Sequence, residues 1–131
     1  MPFGRAGIKA ATEAAAGITP SETRYLGLLI DNNQPNARTD EASAAGYSRQ
    51  AVTYTAGSSP QYRAAQGDDV TFNFTATSPN IRGSFISKNS SSESSDTNFQ
   101  EGIVGWVTGA NLENVGNGSV VTASGGEVRV T

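Results

Sequence analysis

Residues 69–77, "DVTFNFTAT", alternate between apolar and polar side chains over the length of a whole strand. Successive side chains of a β-strand point to opposite faces, so Val70, Phe72, Phe74 and Ala76 share one face and polar residues share the other. Burying the apolar face contributes about 1.5–3 kcal/mol for each large side chain. The stretch therefore predicts a strand that covers a core with one face.

Strand-like segments recur along most of the chain and are separated by polar or glycine-containing connections. They lie at residues 23–30, 49–56, 81–86, 101–109, 119–123 and 127–131. In the segment 81–86, Gly83 predicts a bulge or a close approach of two backbones. The dipeptide Gly125-Gly126 predicts a tight hairpin between the last two strands. Many short strands with such turns predict a mainly β fold, an antiparallel β-sandwich or small barrel of about seven strands.

Three connections are long and polar. Residues 31–46 contain a proline and have no periodicity, which predicts a long surface loop of the kind that often makes contacts. Residues 57–68 are a predicted turn region, and the serine-rich residues 87–98 are a predicted flexible insert.

The N-terminal region has the one clear helix signal. Residues 7–17, "GIKAATEAAAG", are rich in alanine with apolar residues at helical spacing, and Gly17 and Pro20 are placed to end the helix. A short helix of this kind must dock on something to be stable, either its own sheet or a neighbouring subunit. We divide the chain into an N-terminal arm and helix, 1–22, and a single β-sandwich domain, 23–131.

Composition excludes several functional classes. The 131 residues are enough for one domain, and the nine Lys and Arg residues are scattered in a chain of net charge −3, unlike a nucleic-acid binding surface. The chain has no Cys and no His, so disulfides, thiolate metal sites and imidazole acid–base chemistry are excluded. No apolar run is long enough to span a membrane. Lys9 and Glu13 interrupt the N-terminal segment where a secretory signal would be apolar, which predicts folding in a cytoplasm.

Candidate reacting groups are weak. Asp68 and Asp69 are adjacent and would point to opposite faces of a strand, so they do not make a catalytic pair. The serines lack a base other than Lys9 and Lys88. Residues 31–36, "DNNQPN", lack the glycine and glutamate spacing of a calcium loop. We therefore predict no catalytic residue, no cofactor and no metal site.

The aromatic residues are predicted to pack in the core. Phe72, Phe74, Phe85 and Trp106 have apolar neighbours in strands, although Trp106 could instead be a half-exposed interface anchor. Tyr47 stands beside a glycine just before a strand, where its hydroxyl could bind the backbone at a sheet corner or contact a partner.

Three motifs occur in order: "RYLGLL" at 24–29, "GYSRQ" at 46–50 and "VTFNFTAT" at 70–77. In this order the chain resembles the small virion proteins of tailed phages, called tail fibre or capsid decoration proteins, whose patterns are "LYxGL", "GYARQ" and "VTFPxAT". The chain departs from them at Asn73, where the family has proline, and in the serine-rich insert 87–98.

The resemblance implies a non-enzymatic structural protein of a virion, made in the bacterial cytoplasm. As a capsid decoration (cement) protein it would bridge major capsid subunits or copies of itself, and many weak contacts would hold it by avidity. An alternative is a tail or tail-fibre component. A second alternative is a carbohydrate-binding β module that uses Trp106, Tyr47 and Tyr62. None of these readings involves nucleic acid or a membrane, and the structural readings involve no small-molecule substrate.

Two segments are predicted to face a partner. They are the N-terminal arm and the loop 31–46 with the corner that follows it, and the residues concerned are Phe3, Arg5, Ile8, Arg38, Asp40, Glu41, Tyr47 and Arg49.

Overall fold

The structure, a computed structural model, describes residues 24–52, 54–56, 64–66, 69–124 and 127–130. The predicted N-terminal helix 7–17 and the predicted Gly125-Gly126 turn lie outside these residues. So do Phe3, Arg5, Ile8 and Tyr62.

The described residues form nine strands and one α-helix. The strands are β1 (Arg24–Leu29), β2 (Gln50–Val52), β3 (Tyr54–Ala56), β4 (Ala64–Gln66), β5 (Val70–Asn73), β6 (Ile81–Ser87), β7 (Ile103–Leu112), β8 (Val120–Ser124) and β9 (Glu127–Val130). The helix α1 (Asp96–Gly102) immediately precedes β7. A 3-10 turn, Arg38–Asp40, lies in the loop between β1 and β2.

The strands form two larger antiparallel sheets and a ribbon. The first sheet has the order β2-β1-β6-β7, the second has the order β5-β8-β9, and β3 pairs with β4. Strand β2 contacts β5, and β6 and β7 contact β9, so the first and second sheets pack against each other. The predicted mainly β fold, with seven strands in two antiparallel sheets, is confirmed.

The space between the two sheets holds the larger core. Side chains from both sheets and from three connecting loops meet there and are almost inaccessible to solvent: Leu26, Leu28, Ala42, Val52, Phe72, Phe74, Ile81, Ile86, Val115, Val121, Ala123 and Val128. In β5 and just beyond it, Phe72 and Phe74 are buried while Thr71, Asn73 and Thr75 are exposed. The alternation in residues 69–77 was therefore a correct guide to the core face, although the strand itself ends at Asn73.

The first sheet is buried on its other face as well. Leu29, Phe85, Phe99 and Ile103 form a second apolar cluster, against which Trp106 packs while partly exposed. Because β1 contributes Leu26 and Leu28 to one face and Leu29 to the other, nearly all of its positions are apolar.

Helix α1 covers this second cluster and was missed in the sequence. Ser95 begins it, since its hydroxyl accepts a hydrogen bond from the Asn98 N–H at 3.1 Å, and Asp96 lies in the first turn. Phe99 is the fully buried residue that docks the helix. The prediction that residues 87–98 form a flexible insert is wrong for its last residues, which begin this helix.

Two other segments differ from their predictions. The predicted strand 49–56 is divided into β2, which pairs with β1, and β3, which pairs with β4. The register explains the division, because Val52 is opposite Arg24, the first residue of β1. Residues 64–66, predicted as part of a turn region, form β4.

Gly83 lies at an irregularity in the pairing of β6 with β7, where the register shifts between Ile81 and Gly83. A Cβ atom at Gly83 would overlap the carbonyl oxygen of Val107 on the neighbouring strand. The predicted bulge and the predicted close approach are both present, and only glycine fits there without moving the backbone.

Among the described residues, no helix has the length and apolar character needed to cross a membrane.

We predict that Gly83→Ala lowers the free energy of unfolding by about 1–3 kcal/mol, because a backbone atom stands where the new methyl group would go. Urea denaturation of the purified protein measures the change. The control is Gly116→Ala, where the nearest atom to the added Cβ is 3.7 Å away and the effect should be small. Equal effects of the two substitutions would contradict the close approach.

Candidate functional site

The outer edge of β1 is covered by three pieces of the following chain. Strand β2 pairs with the first half of β1. Farther along, Ala42 N–H donates to the carbonyl of Leu28 and Ile30 N–H donates to the carbonyl of Asp40, both at 2.9 Å. Between these two stretches the backbone N–H of Leu28 donates to the hydroxyl of Tyr47 at 3.0 Å. The loop 31–46 is therefore held along β1 and brings Glu41 opposite Leu29.

Arg49, just before β2, is bound by two carboxylates in the protein interior. Its Nε and Nη2 atoms donate to the two oxygens of Glu41, both at 2.8 Å. Its Nη1 and Nη2 atoms donate to the two oxygens of Glu93 at 3.0 and 2.9 Å. The side chains of Arg49, Glu41 and Glu93 are only 1%, 5% and 6% exposed. We call these three residues the arginine junction.

Arg49 also binds the serine-rich segment through Nη1. Nη1 donates to the carbonyl oxygens of Asn89 and Ser91, both at 3.0 Å, and lies 3.4 Å from the hydroxyl of Ser87. The guanidinium carbon also lies 5.1 Å from the centre of the Phe85 ring. The guanidinium has five N–H donors, and Nη1 shares its two among Glu93 and these acceptors. An ammonium group, with three donors at one point, could not serve both carboxylates and the carbonyl groups.

Glu93 is held from a second side by Asn89. The amide group of Asn89 donates to Glu93 Oε1 at 3.0 Å, and the backbone N–H of Asn89 donates to the Ser87 hydroxyl at 3.0 Å. The segment between β6 and α1 is thus folded around Arg49 and its carboxylate.

Tyr47 connects the junction to the core between the sheets. Its hydroxyl donates to Glu41 Oε1 at 2.8 Å, while its ring stacks on Phe72 and Phe74 with centroids 5.8 and 6.1 Å away. Burial and the nearby Glu41 charge raise the pKa of Tyr47 well above its ordinary value, so the hydroxyl keeps its proton and remains a donor. Of the two sequence interpretations of Tyr47, the backbone hydrogen bond at a sheet corner is present.

The glycine before Tyr47 is needed for this corner. Gly46 has a φ of +90°, and a Cβ atom there would overlap the carbonyl oxygen of Asn73. The neighbouring Ala45 carbonyl accepts a hydrogen bond from the Thr75 N–H at 2.8 Å. The end of the loop therefore also contacts the second sheet.

Charge and burial oppose each other at the junction. Burial alone lowers the pKa of the Arg49 guanidinium, but hydrogen bonds and charges from Glu41 and Glu93 raise it above its ordinary range. Burial raises the pKa of Glu93, and the hydrogen bonds from Arg49 and Asn89 outweigh this and lower it. The guanidinium and the two carboxylates can be buried together because each carboxylate is hydrogen-bonded to the guanidinium.

A second, exposed link joins the same two loops. The Arg38 backbone N–H and its Nε atom donate to Asp96 Oδ1 at 3.0 and 3.3 Å, and its Nη1 atom donates to the carbonyl of Glu93 at 3.3 Å. The backbone N–H of Arg38 is the largest cause of the lowered pKa of Asp96. Asp40 is used within its own loop, where its carboxylate accepts from the N–H groups of Asn36 and Ala37.

The predicted contact residues thus fall into different settings. Glu41 and Arg49 are buried in the junction, and Tyr47 binds Glu41 from the core side. Arg38 is exposed and lies on the outer surface of the loop. The burial of Glu41 and Arg49 is a correction to the expectation that they face a partner, because their charged atoms are already bound inside the chain.

Glu93 was not predicted as a site residue. In the sequence it stands out only as the single carboxylate among residues 87–95, which are otherwise mostly serine, and that does not identify its partner.

The junction has no group free for a reaction. Each carboxylate is bound to the guanidinium, and no buried side-chain nitrogen or oxygen in the described part of the chain lacks a hydrogen-bond partner. The described residues also contain no group of three or more acidic side chains placed to hold a metal ion. What the arrangement does is hold the loop 31–46, the segment 87–95 and the first sheet together.

Scans against protein-family models, curated proteins and solved structures found no match to this chain.

We predict that Arg49→Met lowers the free energy of unfolding by about 3–5 kcal/mol, because it leaves two carboxylates buried without a cation. Adding Glu41→Gln and Glu93→Gln to this variant should restore part of the loss, since the buried charges are then removed. Thermal and urea unfolding of the single and triple variants measure both effects.

The matched control is Arg129→Met, which removes an exposed ion pair with Asp69, 47% and 51% exposed, and should change stability by less than about 1 kcal/mol. If Arg49→Met is no worse than this control, the junction does not stabilise the fold.

The lowered pKa of Glu93 gives stability a pH dependence of known sign. A carboxyl group with a lower pKa in the folded state adds stability that is complete above its ordinary pKa of 4.5 and is lost as the pH falls through the lowered value. We predict that Glu93→Gln is less stable than the wild type near neutral pH and that the difference in the free energy of unfolding narrows only as the pH falls below 4.5. Asp69→Asn is the control at an exposed pair, and a pH-independent difference for Glu93→Gln would contradict the assignment.

Proposed function

We propose that this chain is a non-catalytic structural protein of a bacteriophage particle. In this proposal it decorates the outside of the capsid and bridges neighbouring major capsid subunits. The order of the motifs at residues 24–29, 46–50 and 70–77 is the sequence basis of the proposal.

The observation that carries the proposal is the use of the buried charges. The three charged residues of the arginine junction join two loops to a sheet, and their side chains are shielded from solvent. Buried ionisable groups in an active site are typically poised for proton transfer or nucleophilic attack. In this chain the buried charges instead fix the shape of a surface loop, which suits a protein that binds other subunits.

That surface is the outer side of residues 36–43 and 93–96, which we call the loop platform. It carries Arg38, Thr39, Ser43 and Asp96 around a shallow depression of about 300 Å³. The arginine junction holds the platform from beneath, so little conformational entropy is lost when it binds. A small preformed contact repeated over many copies gives a firm attachment through avidity.

The carbohydrate-binding alternative with Trp106, Tyr47 and Tyr62 has less support. Tyr47 is stacked on Phe72 and bound through its hydroxyl to Glu41, and Trp106 packs against the second apolar cluster. Tyr47 therefore offers no open aromatic face for a sugar, and part of the Trp106 ring is used in packing.

We predict that purified particles of the source phage contain this chain in numbers comparable to the major capsid protein, and that particle images place it on the head. Quantitative mass spectrometry and electron cryomicroscopy measure number and position. A few copies on the tail would favour the tail-component alternative, and absence from particles would overturn the virion proposal.

A charge reversal tests the platform within this proposal. Arg38→Glu should weaken binding to heads that lack the protein, because Arg38 is 48% exposed on the platform. Arg129→Glu is a matched control, since Arg129 is 47% exposed in a similar ion pair on β9. Equal binding of the two variants would move the contact away from the platform.

A further inference from the structure

The connection between β7 and β8 ends in a tight turn over residues 116–119. The N–H of Ser119 donates to the carbonyl of Gly116 at 2.9 Å, and the N–H of Gly116 donates to the Ser119 hydroxyl at 3.0 Å. Gly118 has a φ of +85°, and the other three residues of the turn have no positive φ. A positive φ at the third residue alone is the geometry of a type II turn, which glycine adopts without steric cost.

This turn exposes an asparagine that is followed by glycine, a pair that occurs only once in the chain. The side-chain amide of Asn117 has no hydrogen-bond partner in the described part of the chain. A Cβ atom added at Gly118 would meet no other atom within 4 Å, so the outside of the turn is open to solvent. The amide is therefore free to rotate towards the main chain, and water can reach it.

An exposed asparagine before glycine can react with its own backbone. The peptide nitrogen of Gly118 attacks the side-chain amide carbon of Asn117 and loses its proton as the new C–N bond forms. The bond from this carbon to the amide nitrogen breaks, ammonia leaves, and a cyclic succinimide remains. Water then adds to one of the two ring carbonyl carbons and opens the ring to aspartate or isoaspartate. Glycine favours ring closure because it has no side chain to crowd the attacking nitrogen.

The fold opposes the first step of this reaction. The N–H of Gly118 donates to the carbonyl of Phe74 at 2.8 Å, and the N–H of Phe74 donates to the carbonyl of Ser119 at 2.9 Å. Phe74 is itself buried in the larger core, so its backbone is a fixed acceptor. The attacking nitrogen must leave this hydrogen bond before it can close the ring. Local opening of the turn therefore limits the reaction in the folded chain.

We propose that Asn117 is a site of spontaneous deamidation and that the hydrogen bond from Gly118 to Phe74 controls its rate. Isoaspartate adds a carbon atom to the main chain between residues 117 and 118, so the modified turn cannot restore its backbone hydrogen bonds as they were. The modification thus loosens the β7–β8 connection from Phe74, and either product adds a negative charge to the turn. The proposal does not depend on the virion function, because it uses only the chemistry of this turn.

The test is incubation of the full chain at mildly alkaline pH, both folded in buffer and unfolded in guanidinium chloride, with peptide mapping by mass spectrometry over time. In the unfolded chain, Asn117 should convert faster than Asn114, which is followed by the β-branched Val115. In the folded chain, Asn117 should convert at least about tenfold more slowly than in the unfolded chain, because only the open fraction of turns reacts.

A variant tests whether the turn controls the rate. Ser119→Ala removes the hydroxyl that the Gly116 N–H binds, and it should raise the folded-state rate at Asn117 about two- to tenfold. Each folded-state rate is divided by the rate of the same variant in guanidinium chloride, which removes any effect of the side chain on the reaction itself. Thr71→Ala, at an exposed position in β5, is the matched control and should give the wild-type ratio.

Three results would overturn the proposal. Conversion of Asn117 no faster than that of Asn114 in the unfolded chain would remove the site. Equal rates for the folded and the unfolded wild type would remove the control by the turn, and so would a Ser119→Ala ratio no higher than that of Thr71→Ala. The first two comparisons use the wild type alone, so they decide the matter even if Ser119→Ala does not fold.

Discussion

The position of the loops on the first sheet depends on one buried guanidinium. Arg49 binds Glu41 and Glu93 with both carboxylates doubly contacted, and it also binds two carbonyl groups of the serine-rich segment. A buried ion pair adds less to net stability than its contact distances suggest, because each charge has lost its water. Its clearest effect is to fix one conformation of the two loops, since neither loop can move without leaving a buried charge unpaired.

The sequence predicted the layers better than it predicted the connections. The alternation around Phe72 and Phe74 and the apolar run of β1 identify residues that face a core, because these patterns follow directly from strand geometry. The close approach at Gly83 was also predicted correctly, because a glycine inside a strand usually marks a bulge or a place where two backbones come close together. Helix α1 was missed because Phe99 is its one large apolar side chain, and a single apolar residue gives no helical period.

In the site, too, some residues were predicted from the sequence and others were not. Tyr47 stands at a corner between a long loop and a strand, and the backbone hydrogen bond of its hydroxyl was one of its two predicted roles, whereas Arg49 was predicted to face a partner. Glu93 could not be paired with Arg49 from sequence, since the two residues are 44 positions apart and come together only in the folded chain. A polar segment also looks the same in a sequence whether it is solvated or folded around an arginine. The charges of this chain thus have a structural use, and the loop platform lies on the two loops that those charges hold.

Through Arg49, a change at Glu41 should reach the loop that holds Glu93. Amide hydrogen exchange of Glu41→Gln, compared with the wild type, measures this, because the substitution lies in the loop 31–46 and the readout lies in the segment 87–95. We expect faster exchange in that distant segment, including the Lys88 amide bound to Gly102, while β8 and β9 exchange as before. Faster exchange confined to residues near position 41 would contradict it.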